Sequence, residues 1–171
     1  DLARAAREFF SAPNPVLCQP LQAEHAGRLK RKLQNACDMP GGQVILSQGG
    51  AETVDIAIKL ARAATSRPCT LALDGAFHGK TMAAVQLTAN SEYSDYFGIP
   101  NEFVRRLKPG PIENLDADFA ALTKDGKVNS VMVEIIKGEG GMIELPPEWV
   151  RHLESLCRNA GILFCVDEIQ T

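Results

Sequence analysis

The 171-residue sequence predicts an α/β fold in which a mostly parallel β-sheet carries helices on both of its faces. Its strong strand candidates are continuous apolar runs rather than alternating ones, which is typical of strands that are buried on both sides. Helical segments separate these runs by more than ten residues, as crossovers between parallel strands require. Ligands of such sheets bind beyond the carboxyl ends of the strands, so a functional site is expected there.

The composition indicates a soluble globular chain, because 45% of the residues are apolar and 23% are charged. A net charge of -3 and a pI near 5.6 predict neither a nucleic-acid partner nor an anionic membrane surface. No apolar run approaches the roughly 20 residues of a membrane span, and the charged N-terminus does not resemble a secretory signal. We expect a cytoplasmic location, with the mitochondrial matrix as the alternative.

The cysteines favour a reducing compartment over a disulfide-bonded or zinc-binding protein. They lie at wide, irregular spacings without a Cys-x-x-Cys pair, which predicts neither a disulfide framework nor a metal site. We expect Cys157 and Cys165 to be buried, reduced thiols. The full set is Cys18, Cys37, Cys69, Cys157 and Cys165.

The first 40 residues predict a helical segment in two pieces, separate from a larger domain over residues 41–171. Residues 1–10 are rich in helix formers, and the prolines at residues 11–15 end that helix. The second piece places its apolar side chains three to five residues apart, so that they share one face. These side chains are Leu21, Ala26, Leu29 and Leu33.

The first half of the larger domain is predicted to alternate strands and helices. Residues 44–47 form a short buried strand, and residues 69–75 form a second one. A helix begins between them at Gly50, with one apolar face. A polar, aromatic loop at residues 90–101 leads to a short strand near a sheet edge, at residues 102–110. The apolar face of the helix consists of Val54, Ala57, Ile58 and Ala61.

The second half continues the alternation. It predicts a helix at residues 112–124, a buried strand at residues 128–135 and a glycine-rich loop at residues 137–147. A further helix starts at paired prolines and ends at Gly161, which suits a helix C-cap. The last strand, residues 162–169, runs into two carboxylates.

Residues with useful chemistry follow four of the predicted strands, so they should meet at one sheet edge. A helix that starts at Gly50 can attract a phosphate to its free N–H groups, although a purely structural turn has the same pattern. The ring of Phe77 can stack on a flat ligand, or it can cover the core while His78 bonds to the backbone. Neither standard nucleotide fingerprint is present.

Asp167 is the most informative single residue. A carboxylate after an apolar strand costs several kcal/mol unless it is paired. A protonated ring nitrogen of a ligand would be a suitable partner, and an arginine elsewhere in the chain is the alternative. Hydrolysis by Glu134 and Asp167 together is a weaker alternative.

Taken in order, these stretches resemble the class III aminotransferases, fold type I enzymes that use pyridoxal 5'-phosphate, of which the ornithine and acetylornithine enzymes are examples. The resemblance covers roughly residues 40–171. It rests on Gly-Gly-Ala-Glu-Thr at residues 49–53 with Lys-Leu-Ala-Arg at residues 59–62, Phe-His-Gly-Lys-Thr at residues 77–81, Glu-Ile-Ile-Lys-Gly-Glu-Gly-Gly at residues 134–141, and Asp-Glu-Ile-Gln-Thr at residues 167–171.

The resemblance implies a role for each matching position. Asp167 would pair with the protonated pyridine nitrogen and is the catalytic position, and Glu139 would lie near the substrate. Glu134 would support the site without touching the ligand. The remaining positions would bind the cofactor: the backbone of Gly50 and Ala51 at the phosphate, Phe77 and His78 from the aromatic motif, Ile169 against the ring, and Gln170 at the 3-oxygen.

Four positions depart from the family pattern. The family has Ser and Thr where this chain has Gly49 and Ala51, so two hydroxyls are missing near the phosphate. Ile135 replaces a proline. Lys137 replaces a glutamine and is expected to add a positive charge near the substrate side.

The implied reaction transfers an amino group from an amino donor to a keto acid or aldehyde. The family's Schiff-base lysine is expected beyond Thr171, so residues 1–171 are interpreted as the N-terminal portion of a homodimeric enzyme, with a partial cofactor-binding domain over residues 41–171 that is inactive alone. Two alternatives are a non-catalytic remnant that binds a phosphorylated ligand or a partner, and another class III activity (decarboxylase, aminomutase or racemase). A nucleotide-binding module is a weaker alternative.

Overall fold

A computed structural model describes residues 1–11, 24–37, 39 and 41–171, and the chain divides into one unit of residues 1–46 and another of residues 47–171. The first unit contains the two predicted helices, α1 (Leu2–Ser11) and α2 (Glu24–Ala36). Neither helix buries a residue. Leu21, which belongs to the predicted apolar face, lies outside the described residues.

The predicted strand at residues 44–47 is wrong. These residues have no regular secondary structure, and the side chains of Ile45 and Leu46 are 52% and 41% exposed. A run of three apolar residues is weak evidence for a strand by itself. A strand also needs a neighbour, and no strand in the described part of the chain pairs with this one.

The second unit has the predicted α/β architecture, with a four-stranded sheet in the order β2-β1-β3-β6 and every pair parallel. Its helices are α3 (Gly50–Thr65), α4 (Ala84–Leu87), α5 (Glu92–Asp95), α6 (Leu115–Thr123) and α7 (Pro147–Ala160). Its strands are β1 (Cys69–Leu73), β2 (Val104–Leu107), β3 (Val128–Val133), β4 (Ile136–Lys137), β5 (Ile143–Glu144) and β6 (Leu163–Val166). The predicted edge position of β2 is confirmed.

The two central strands, β1 and β3, are buried along their whole length. Their side chains alternate between two apolar clusters, one on each face of the sheet. Helices α6 and α7 cover one face, through residues such as Phe119 and Leu153. Helix α3 covers the other face through Val54 and Ile58. This packing explains why both central strands read as continuous apolar runs.

The glycine-rich segment after β3 is more ordered than the sequence predicts. Strands β4 and β5 pair as a short antiparallel hairpin, whereas residues 137–147 were expected to be a loop. The turn between them includes Gly141, with a φ of 101°. Strands of two residues leave too short a pattern to be recognised from sequence. The loop at residues 90–101 likewise contains the single turn of α5.

The cysteines of the described ranges are free thiols. Cys157 is fully buried, and burial raises the pKa of its thiol to about 12, so it stays protonated and unreactive. Cys165 is half-buried, and burial raises the pKa of its thiol as well. Cys18 lies outside the described residues. No helix in the described ranges is long and apolar enough to cross a membrane.

Leu153→Ala is expected to lower the free energy of unfolding by about 2–5 kcal/mol, because it empties a fully buried position between α7 and the sheet. Leu60→Ala is the matched control, since Leu60 is 52% exposed on α3, and it should cost less than about 1 kcal/mol. Urea denaturation followed by circular dichroism measures both. Equal losses would contradict the location of the core.

Candidate functional site

One cavity lies where the carboxyl ends of β1, β3 and β6 meet the first turn of α3. Its space, including the open mouth, is about 430 Å³. It is lined by Gly50, Ala51, Phe77, His78, Gly79, Glu134, Ile136, Asp167, Ile169, Gln170 and Thr171. The structure therefore brings together every site residue predicted from the sequence except Glu139.

Asp167 is paired with His78 rather than with an arginine. The Nδ1 of His78 lies 2.8 Å from Asp167 Oδ2, and the two side chains are 0% and 8% exposed. The carboxylate can only accept, so Nδ1 carries the shared proton. The other oxygen, Oδ1, accepts the N–H of Ile169 at 3.2 Å. The Asp167 carboxylate is thus oriented at the cavity wall by two donors.

The backbone of His78 is held by Thr88. The backbone N–H of His78 donates to the hydroxyl of Thr88 at 3.0 Å, and that hydroxyl donates to the carbonyl of Gly79 at 2.9 Å. The ring's other nitrogen, Nε2, is buried and has no hydrogen-bond partner among the described residues. Buried polar atoms usually have a hydrogen-bond partner, so Nε2 is an exception among the described residues.

Glu134 joins the loop that follows β1 to the turn between β4 and β5. Its Oε2 accepts the N–H of Phe77 at 2.7 Å, and its Oε1 accepts the N–H of Gly138 at 3.2 Å. The residue is only 7% exposed. Both oxygens accept from backbone donors, so Glu134 holds the cavity wall in place.

The first turn of α3 presents backbone N–H groups to the cavity. The Thr53 N–H donates to the Gly49 carbonyl at 3.0 Å, which leaves the N–H groups of Gly50 and Ala51 without an acceptor inside the helix. A Cβ at Gly50 would lie 3.1 Å from the side chain of Ile169. A larger residue at position 50 would therefore narrow the cavity at this end.

Phe77, Ile169 and Gln170 complete the walls. Phe77 is half-buried on the loop after β1, while Ile169 is 64% exposed on the loop after β6. The side-chain oxygen of Gln170 lies against Gly138, where a Cβ would collide with it. This end of the cavity is therefore closed by loops from two strands.

Two residues singled out from the sequence lie outside the lining of this cavity. The carboxylate of Glu139 accepts the hydroxyl of Tyr93 at 3.3 Å. Lys137 is buried in β4 and donates through Nζ to the carbonyl of Asp74 at 3.3 Å. The expected positions of both residues near the substrate stay predictions.

Several residues of the site carry no clear sequence signal. Thr88 fixes His78 from ten residues away in the chain, and Tyr93 lies in a polar, aromatic segment without an apolar period. The pairing of His78 with Asp167 spans 89 residues. His78 and Asp167 each follow a parallel strand, so the sequence could predict that they lie near each other. It could not predict the hydrogen bond between them.

Glu134→Gln is expected to lower the free energy of unfolding by about 1.5–3 kcal/mol, since one of two buried backbone donors would face an amide NH₂ group instead of an oxygen. Glu144→Gln, at an exposed position of β5, is the control and should change it by less than about 0.5 kcal/mol. Thermal or urea unfolding measures both variants. A Glu134→Gln protein as stable as the control would show that these contacts do not hold the loops.

The comparisons with known proteins point to one family. The aminotransferase class-III family model matches residues 4–171. Aminotransferase PigE of Serratia sp. (strain ATCC 39006) is 30% identical over 168 residues, which are 98% of this chain and 19% of that protein. The acetylornithine aminotransferase of Caldanaerobacter subterraneus subsp. tengcongensis is 34% identical over 137 residues, 77% of this chain and 34% of that enzyme.

The solved structures agree on the fold. An amine transaminase from an uncultivated Pseudomonas species, in its PLP-bound form, superposes with a TM-score of 0.84 at 22% identity. The match covers 98% of this chain and 43% of that one, so this chain holds part of the fold type I transferase architecture. It spans about a fifth to a third of the two curated relatives described above. Because the family model matches nearly the whole chain, the chain belongs to the class-III aminotransferases.

Proposed function

We propose that the full-length protein containing this chain is a pyridoxal-phosphate-dependent aminotransferase, which moves an amino group from an amino donor to a keto acid or aldehyde. The carrying observation is the buried His78–Asp167 pair at one wall of a cavity whose other wall is the start of α3. A carboxylate and a helix N-terminus suit the two ends of a ligand with a basic ring nitrogen and a phosphate.

The residues of the cavity fit this cofactor. The N–H groups of Gly50 and Ala51 and the positive end of the 16-residue helix α3 would hold the phosphate. Asp167 would accept a hydrogen bond from the protonated ring nitrogen, and a buried carboxylate is stabilised by such a cation. Phe77 and Ile169 would cover the ring, and Gln170 would approach its 3-oxygen.

Bound pyridoxal phosphate supplies an electron sink for the carbon that carries the amino group. The residues of this chain would keep the cofactor ring able to act as that electron sink. Asp167 would hold a proton on the ring nitrogen, and His78 keeps the carboxylate oriented by donating from Nδ1. Phe77 and Ile169 would cover the ring, and Glu134 holds Phe77 through its backbone N–H.

The lysine that would bind the cofactor covalently is proposed to come from residues beyond Thr171. Among the described residues, no lysine lines the cavity. The Nζ of Lys137 contacts the Asp74 carbonyl, and the Nζ of Lys80 lies over the ring of Tyr93. Residues 41–171 would thus be part of the cofactor-binding domain, preceded by the helical segment of residues 1–40.

The remaining assignments extend the same proposal. Glu139, next to Tyr93 outside the cavity lining, would face the amino substrate. The full-length enzyme would act as a homodimer in the cytoplasm, where the free thiols of the described chain would stay reduced.

Asp167→Asn in the full-length protein is expected to raise the dissociation constant for pyridoxal phosphate by about 10-fold or more, because the ring nitrogen would lose a charged hydrogen-bond partner. Glu168→Gln is the control, since Glu168 is exposed and adjacent, and it should bind as the wild type does. Titration followed by cofactor absorbance measures both constants.

Two results would count against the proposal. A wild-type protein without saturable cofactor binding would exclude the cofactor. Cofactor binding without amino transfer from any amino donor to pyruvate, 2-oxoglutarate or an aldehyde would favour the non-catalytic remnant. Borohydride reduction and peptide mapping of the loaded protein should locate the covalent lysine outside residues 1–171.

A further inference from the structure

Tyr93 contacts three residues beside the cavity without lining the cavity itself. It lies on α5 and is half-buried. Its neighbours are Phe77 and Lys80 from the loop after β1, and Glu139 from the turn between β4 and β5. A residue that touches both loops is suited to fix their relative positions.

The contact with Phe77 involves the two aromatic rings. Their centroids are 5.9 Å apart and their planes meet at 74°, an edge-to-face geometry that aromatic pairs favour. The Nζ of Lys80 lies 4.1 Å from the centroid of the Tyr93 ring and 5.7 Å from that of Phe77. One cation therefore lies near both rings and adds to their association.

The contact with Glu139 involves the hydroxyl group. Tyr93 donates to Glu139 Oε2 at 3.3 Å, from the same ring that supports Phe77. The ring and the hydroxyl thus hold different residues, and the two effects can be separated by substitution.

The neighbouring aromatic residues show that this arrangement is particular to Tyr93. Tyr96 is 87% exposed and Phe97 is 71% exposed, and these two rings contact each other edge to face. Tyr96 therefore offers a largely exposed tyrosine in the same segment, outside the lining of the cavity.

We propose that Tyr93 is a positioning residue that sets two properties of the site separately. Its ring holds Phe77 against the cofactor, and its hydroxyl orients Glu139 toward the amino substrate. This inference rests on the proposed function, because it takes Phe77 to cover pyridoxal phosphate and Glu139 to face the donor.

The test compares Tyr93→Phe, Tyr93→Leu and the control Tyr96→Leu in the full-length protein. Two quantities are measured: the dissociation constant for pyridoxal phosphate by absorbance titration, and kcat and KM for the amino donor. Tyr93→Leu should weaken cofactor binding by about 3- to 10-fold, since it removes the aromatic pair. Tyr93→Phe should restore cofactor affinity to within about twofold of wild type. The same variant should shift KM for the donor by about threefold or more with little change in kcat.

Three outcomes would overturn the inference. Cofactor binding by Tyr93→Leu that equals the Tyr96→Leu control would exclude the role of the ring. A Tyr93→Phe protein as impaired in cofactor binding as Tyr93→Leu would indicate a general packing effect. A wild-type protein that does not bind pyridoxal phosphate would overturn the proposed function and this inference with it, which distinguishes the two failures.

A double-mutant cycle covers the case in which Tyr93→Leu does not fold. Tyr93→Phe, Glu139→Gln and the double variant are compared for donor KM. If the hydroxyl acts through Glu139, the double variant should change KM by no more than Glu139→Gln alone. Independent effects, which would multiply, would overturn the inference.

Discussion

The buried carboxylate of Asp167 is the constraint on which the rest of the site depends. An apolar strand places its side chain where only 8% of it is exposed, so it requires donors from the protein. His78 and the N–H of Ile169 supply them. His78 lies in the loop after β1, and its backbone must be held in position for its ring to reach Asp167. The hydroxyl of Thr88 holds it by accepting the backbone N–H of His78. The position of the loop after β1 is therefore linked to Asp167, at the end of β6, through the hydrogen bond of His78.

The same loop is fixed a second time, through its backbone. Glu134 accepts the N–H of Phe77 and the N–H of Gly138, so the loop after β1 and the turn after β4 share one buried carboxylate. His78 and Phe77 are adjacent in sequence, and each is bound by a different acid, Asp167 after β6 and Glu134 after β3. Two consecutive residues of one cavity wall are thus fixed by separate hydrogen bonds.

The sequence predicts those parts of the fold that depend on local patterns. Helices α3 and α7 and strands β1 and β3 follow from apolar spacing and from caps such as Gly161. The residues at the strand ends could also be predicted to meet, because parallel strands end at one edge. Residues 44–47 were misread because strand formation depends on a partner, which a short run does not reveal. The contacts of Thr88 and Tyr93 depend on the tertiary packing of short loops, for which no periodic signal exists.

The two ends of the proposed cofactor site differ in the side-chain groups that the chain supplies. At the ring end, Asp167 is buried, paired and oriented by two donors. At the phosphate end, Gly49 and Ala51 offer no hydroxyl, and the hydroxyls of Ser47 and Thr53 already bond to each other at 2.5 Å. The backbone N–H groups and the dipole of α3 would have to hold the phosphate within this chain. Binding should therefore depend more strongly on Asp167 and Phe77 than on any side chain at the start of α3, and the residues that position Phe77 gain importance accordingly.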